Sequence, residues 1–165
     1  MARALIVGCG CRGRSLGERL LAEGWAVRGT TRAAAGLAPI EAAKIEPALA
    51  DPDRPGTLLE LVADVTVAYY LLGSAQGEDE LLEAIHGPRL ERLLEHLVDT
   101  PLRGFVYEAQ GSVDPALLAT GAELVRTAGR TWRIPVAITE SQPKDPAEWS
   151  AEIASLALRL VSSAQ

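Results

Sequence analysis

The sequence is poor in the features that tie a chain to nucleic acid, to a membrane or to a disulfide scaffold. Lysine occurs only as Lys44 and Lys144, and 16 basic side chains stand against 22 acidic ones, for a net charge of −6. Without a cationic excess to displace counterions, neither a nucleic-acid backbone nor an anionic bilayer is an expected partner. Long apolar runs are also missing. Ala4–Val7 is too short for a signal-peptide core or a membrane span, and Val65–Leu72 runs directly into glycine and serine. Cys9 and Cys11 are the only cysteines, at a spacing that suits neither a disulfide framework nor a CxxC motif. His86 and His96 stand apart from any Cys, Asp and Glu set at ligand spacing, so no metal site is expected. Together these point to a cytoplasmic chain.

What is present is globular. Of 165 residues, 48% are apolar and 23% charged, enough for one domain with a substantial core. Strand-like runs are Arg3–Gly8, Trp25–Thr30, Lys44–Leu49, Val65–Leu72, Gly104–Glu108 and Ile134–Thr139. Several are almost continuously apolar, as suits strands covered on both faces. Pro47 puts the third at a sheet edge.

Helical patterns lie between the runs. Leu90, Leu93, Leu94 and Leu97 share one helix face, and Leu117, Leu118, Leu124 and Val125 form a second stripe opened by Asp114-Pro115. Asp145-Pro146 opens a third, with Trp149, Ile153, Leu156 and Leu160 as its apolar positions. Strand alternating with helix predicts an α/β protein with a doubly wound parallel sheet of about six strands. One domain is expected across residues 1–165, with no separate substrate domain.

The chemistry concentrates at the first strand–helix turn, Gly8-Cys9-Gly10-Cys11-Arg12-Gly13. This GxGxxG follows an apolar strand and precedes a helix with Leu16, Leu20 and Leu21 on one face, which is the context of a dinucleotide-binding turn. Gly8 permits the tight turn, Gly10 lets a pyrophosphate approach the backbone, and Gly13 lets helix and strand pack closely, with Gly17 extending that contact. Free amides at the helix start then bind the phosphates. The sheet order expected of such a fold is 3-2-1-4-5-6.

The second strand selects the cofactor. An NAD site ends it with an acid, about 20 residues beyond the loop, to hold the ribose 2′-hydroxyl. Here Arg28-Gly29-Thr30-Thr31-Arg32 carries no acid. Thr30 and Thr31 offer hydroxyls, and Arg32 offers a charge-assisted fork to a 2′-phosphate, with Arg12 as a second positive charge. NADP(H) is therefore favoured over NAD(H). Cys9 and Cys11, beside amide donors at a helix start, sit where thiol pKa values tend to fall and a redox role is open to them, but filling a tight turn with small residues is the better account.

Leu5-Ile-Val-Gly8-x-Gly10-x-x-Gly13, Gly24-Trp-x-Val27-Arg28-Gly29-x-Thr31-Arg32, Asp51 after the third strand and Arg103-Gly-Phe-Val-Tyr107 resemble the extended and atypical short-chain dehydrogenase/reductase superfamily. Its NAD(P)H-binding, epimerase/dehydratase-like branch is the most similar. The resemblance implies that Asp51 hydrogen-bonds the adenine amine and that Leu71, Leu72 and Gly73 lie beside the adenine ribose. It also implies a Tyr-x-x-x-Lys pair for proton transfer, and this chain departs from it. Residues four before Lys44 and Lys144 are Ile40 and Glu140, and Tyr69, Tyr70 and Tyr107 are followed four later by Gly73, Ser74 and Gly111. Ala109 and Gln110 stand where hydroxyls are expected, and Ser112 and Ser141 lack a GxSxG context.

Three readings remain open, with the first favoured because the positive features all concern cofactor binding and the last the least favoured. One is a non-catalytic NADP(H) binder or sensor. Another is a small NADP-dependent oxidoreductase with an unconventional proton donor, Tyr107 or a group of the substrate; Glu108, at the C-terminal end of a strand, is the one acid placed to face a ligand, and an exposed, inert place suits it equally. A homo-oligomeric contact or another protein closing the cleft is compatible with either, and a partner-binding protein with an empty cleft is a third reading.

Overall fold

The structure is a computed structural model that describes residues 2–140 and 145–163; Ser141 and Lys144 lie outside the described residues. Six strands form one wholly parallel sheet: β1 (Arg3–Val7), β2 (Ala26–Thr31), β3 (Glu46–Leu49), β4 (Val67–Tyr70), β5 (Gly104–Glu108) and β6 (Val136–Thr139). Their spatial order is β3-β2-β1-β4-β5-β6. The sheet is the one the sequence pattern implies. Pro47 sits on the edge strand β3, opposite Gly29, where its missing N–H costs no ladder bond on the open side.

Alternation along each strand feeds two cores. Ala4 and Ile6 of β1 join Val67 and Tyr69 of β4 and Val106 of β5 on one face. Leu5 and Val7 join Ala68, Tyr70, Phe105 and Tyr107 on the other. The first face is covered by α1 (Cys11–Ala22), α2 (Leu37–Ala42) and α7 (Pro146–Ser163). The second is covered by α3 (Pro55–Leu59), α4 (Asp79–Ile85), α5 (Pro88–Leu97) and α6 (Pro115–Trp132).

The leucine stripe lies in α5 with all four leucines buried. Asp114 caps α6 by accepting the Ala116 N–H at 2.9 Å, and Asp145 accepts the Ala147 N–H at 3.1 Å ahead of α7. Short elements escape the sequence pattern: α2, α3 and α4 are too brief to show a period. Lys44 takes a left-handed φ of 68°, which delays β3 to Glu46. β4 stops at Tyr70, so Leu71 and Leu72 belong to the loop beyond it. No helix among the described residues is long and apolar enough to cross a membrane.

Candidate functional site

The strand order reverses between β1 and β4, and a cleft of about 430 Å³ opens there at the C-terminal ends of the strands. Its floor is the turn between β1 and α1. Gly8 has φ +83°, and a Cβ there would lie 2.6 Å from the Leu71 carbonyl oxygen, so only glycine fits. Gly10 is a different case. Its φ is −82°, and a Cβ on it would meet nothing within 4 Å. What glycine leaves at this position is open space above the backbone, not a left-handed conformation. A Cβ on Gly13 would come within 3.1 Å of the Gly8 carbonyl oxygen and 3.2 Å of Ile6, so this glycine sets the approach of α1 to β1.

No side chain caps α1, and its first turn contains no acid. The amides of Cys11, Arg12 and Gly13 therefore lack helical acceptors and stand at the positive end of the helix. Arg12, Arg14 and Arg32 line the same cleft. Uncapped amides, three cations and open space over Gly10 fit a phosphate-bearing ligand, and hence the pyrophosphate of a dinucleotide.

The residues singled out from sequence divide into three groups. Gly8, Gly10, Cys11, Gly13, Thr31, Arg32, Leu71 and Leu72 line the cleft. Arg32 is exposed at the end of β2 and donates to the Gln76 carbonyl at 3.1 Å; among the described residues it has no carboxylate partner. Thr31 holds the following turn, its hydroxyl paired with the Ala33 backbone.

Thr30 and Arg12 line the cleft but are engaged otherwise. Thr30 is buried, and its Oγ1 accepts the Gly8 N–H at 3.3 Å while its carbonyl accepts the Cys9 N–H at 2.9 Å. It pins the glycine turn to β2. Arg12 turns away from Arg32. Its Nη2 lies 3.0 Å from Glu108 Oε2, and its guanidinium sits 5.1 Å from the centre of the Trp149 ring. A second charge on the 2′-phosphate is thus not what this side chain supplies. Alternation along β5 is the reason: Glu108 shares the face of Val106, under α1, and draws the arginine towards it.

Asp51 and Gly73 do not line the cleft, though Ala50, Pro52 and Ser74 beside them do. Asp51 closes its own turn, its Oδ1 accepting the Asp53 N–H at 2.9 Å and its N–H bonded to Thr57 at 2.8 Å. Gly73 is a close approach: a Cβ there would run into the Gln110 carbonyl, and its N–H donates to Glu108 Oε1 at 3.0 Å. Arg28, near the predicted site in sequence, points out of it into ion pairs with Glu46 and Asp64, each at 2.9 Å.

Tyr107 is excluded as a proton donor to the cleft. It lies on the opposite sheet face from Glu108, fully buried, donating its hydroxyl to His86 Nδ1 at 2.6 Å. His86 Nε2 faces the Leu72 carbonyl at 2.9 Å, so Nε2 carries the proton and Nδ1 accepts from tyrosine. Burial pushes the Tyr107 hydroxyl well above the usual phenol range and holds His86 below the usual imidazole range. The pair fixes the loop that carries Leu72. The histidine was isolated in sequence and acquires this role only across the fold; His96, by contrast, is exposed on α5.

Among the described residues, Glu108 is the one acid of the cleft wall. Burial raises its pKa above the carboxylate range, against the pull of Arg12 and of the Gly73 amide. Its Oε2 touches Arg12 as an ion pair but has no aligned hydrogen bond. The thiols also separate. Cys9 is buried against Gly29, and desolvation pushes its thiol up to about 12, contrary to the lowered value its place in the chain suggests. Cys11 is exposed, with Arg14 donating to its sulfur at 3.3 Å. Sequence reading missed Trp149 as a wall of the site, because an apolar position on a helix stripe reads as core and nothing local says that α7 begins beside Arg12.

No family model and no curated protein matches the chain. Solved structures do. UDP-N-acetylglucosamine 4-epimerase from Bacillus cereus superposes with a TM-score of 0.75 at 10% identity, over 98% of this chain and 75% of that one. A short-chain dehydrogenase from Streptomyces avermitilis gives 0.67 at 19% identity, over 98% and 92%. UDP-glucuronic acid 4-epimerase from Bacillus cereus, in complex with NAD, gives 0.66 at 18% identity over 84% of this chain, which spans only 55% of that enzyme's length. The fold of this chain is therefore the Rossmann fold shared by short-chain dehydrogenases and nucleotide-sugar epimerases.

Proposed function

We propose that residues 1–165 act as a single dinucleotide-binding domain whose cleft binds a nicotinamide dinucleotide, NADP(H) in preference to NAD(H). The observation that carries this reading is the β1–α1 turn, where uncapped amides meet open space above Gly10. The NAD-bound epimerase with the same fold supports a nicotinamide dinucleotide as the ligand class. The preference for the phosphorylated form rests on Arg32, the exposed guanidinium at the end of β2, where NAD proteins carry an acid.

Binding without turnover is the role we favour. The chain has no Tyr-x-x-x-Lys pair, and its Tyr107 is committed to His86 on the far side of the sheet. The oxidoreductase alternative now rests on Glu108, a buried acid at the C-terminal end of a strand with one oxygen lacking a hydrogen bond.

The test is thermal stabilisation of the purified chain by NADPH and NADH at equal concentration. NADPH should raise Tm more, and Arg32→Ala should remove most of the difference, about tenfold in affinity for a charge-assisted contact. Equal shifts from both nucleotides in the unsubstituted chain would refute the NADP(H) assignment.

A further inference from the structure

Two residues of the cleft wall each carry a buried polar atom without a hydrogen bond: Glu108 Oε2, an acceptor met only by the Arg12 ion pair, and Trp149 Nε1, a donor. Both side chains are 99% shielded, each showing 1% exposure. Folded proteins rarely leave such groups unmatched, and where they do a ligand is among the few explanations. Arg12 joins the two, with Nη2 3.0 Å from Glu108 Oε2 and its guanidinium 5.1 Å from the indole centre. Glu108 Oε1 is already taken by the Gly73 N–H at 3.0 Å. An acceptor, a donor and a cation are thereby gathered on the β5 side of the glycine turn.

A dinucleotide in such a fold straddles the point where strand order reverses. If its phosphorylated ribose lies by Arg32 at the end of β2, its other half lies over the β4–β5 side, beside Glu108. We propose that Glu108, Arg12 and Trp149 form a carboxamide subsite that receives the amide of the nicotinamide ring. The inference rests on the dinucleotide reading above.

The chemistry selects the group. A carboxamide is neutral, as a place already holding one carboxylate and one guanidinium requires. Its NH2 donates to Glu108 Oε2, and its carbonyl accepts from the Trp149 indole N–H or from Arg12. A carboxylate in the same position would face Glu108 with like charge, and a methyl ketone would offer Oε2 no N–H donor.

Calorimetric titration of the full chain with four ligands tests this: NADP+, its 3-acetylpyridine analogue, its nicotinic acid analogue and 2′,5′-ADP, which lacks the nicotinamide half. The acetyl analogue should bind about tenfold more weakly than NADP+, the loss of one matched buried hydrogen bond. The acid analogue should be weaker still. Glu108→Gln, whose amide can donate to a carboxylate, should abolish the penalty against the acid analogue while leaving 2′,5′-ADP affinity unchanged. Trp149→Phe should weaken NADP+ and leave 2′,5′-ADP alone. Equal affinities for the amide, acetyl and acid forms in the unsubstituted chain would overturn the subsite, and so would a Glu108→Gln chain that keeps its discrimination. In either case, binding of 2′,5′-ADP would leave the dinucleotide reading standing. Failure of all four ligands to bind would overturn both.

Discussion

The two ends of the cleft are built on opposite plans. At the β2 end, Arg32 and Thr31 are held by backbone contacts only, and the guanidinium is exposed and has no carboxylate partner among the described residues. At the β5 end, Glu108 and Trp149 are almost wholly buried and their polar atoms Oε2 and Nε1 are shielded from water, with the part-exposed Arg12 lying against both. The difference is one of dielectric. An exposed cation recruits a phosphate by charge, and salt screens it; a buried acceptor discriminates by the cost of staying unmatched. The first end suits attraction, the second selection.

The largest effect should come from the glycine turn, which joins the two ends. Gly8→Val forces a side chain into a left-handed backbone, at about 1–3 kcal/mol of strain, and drives a Cβ against the Leu71 carbonyl as well. Its thermal unfolding should shift down sharply. Gly10→Val should leave Tm nearly unchanged, since its Cβ meets nothing, yet abolish nucleotide binding. Affinity retained by a folded Gly10→Val chain would show that the ligand does not lie over this turn, and the contrast between the two ends would lose its common axis.

A smaller effect separates the cleft from the layer beneath it. Tyr107→Phe leaves His86 Nδ1 buried without its donor, which should cost about 1–3 kcal/mol. Because Tyr107 faces the α5–α6 core, nucleotide affinity measured in the same preparation should stay within about twofold, the range of a site with no lost contact. A large affinity loss in a chain of normal stability would return Tyr107 to the site.

The smallest effect is in pH. The His86 pKa is lowered in the fold, so its contribution to stability is present above the ordinary value of 6.5 and is lost as pH falls towards the lowered one. The Glu108 pKa is raised, so its contribution is present below the ordinary 4.5 and is lost as pH rises through the raised value. Between those ordinary values the two slopes oppose each other. Denaturant unfolding across this range should show stability rising more steeply with pH in Glu108→Gln than in the unsubstituted chain. It should rise less steeply, or fall, in His86→Gln. Parallel curves for all three would mean that neither group is perturbed by burial.

Much of the fold was present in the chain as local pattern. Apolar runs separated by helical stripes, with Pro47 tolerable only at an edge, pointed to a parallel sheet, and the glycine turn implied the fold that fixes its order. The GxGxxG turn marked where the cleft opens, since the left-handed φ of Gly8 and the open space over Gly10 are properties of the local backbone. The exposed place of Arg32 at the cleft was equally legible, because a residue just past a strand end depends little on distant packing.

Tertiary structure alone decided the other end. Arg12 was assigned by sequence to the 2′-phosphate, but its direction depends on Glu108, 96 positions later, and on which face β5 presents. Asp51 became a turn former because Asp53 and Thr57 reach it first. Trp149 and His86 gained their places from α7 docking on α1 and from a loop packed behind Leu72. Burial turns a common residue into a demanding one, and the sequence carries no record of which distant neighbours will bury it.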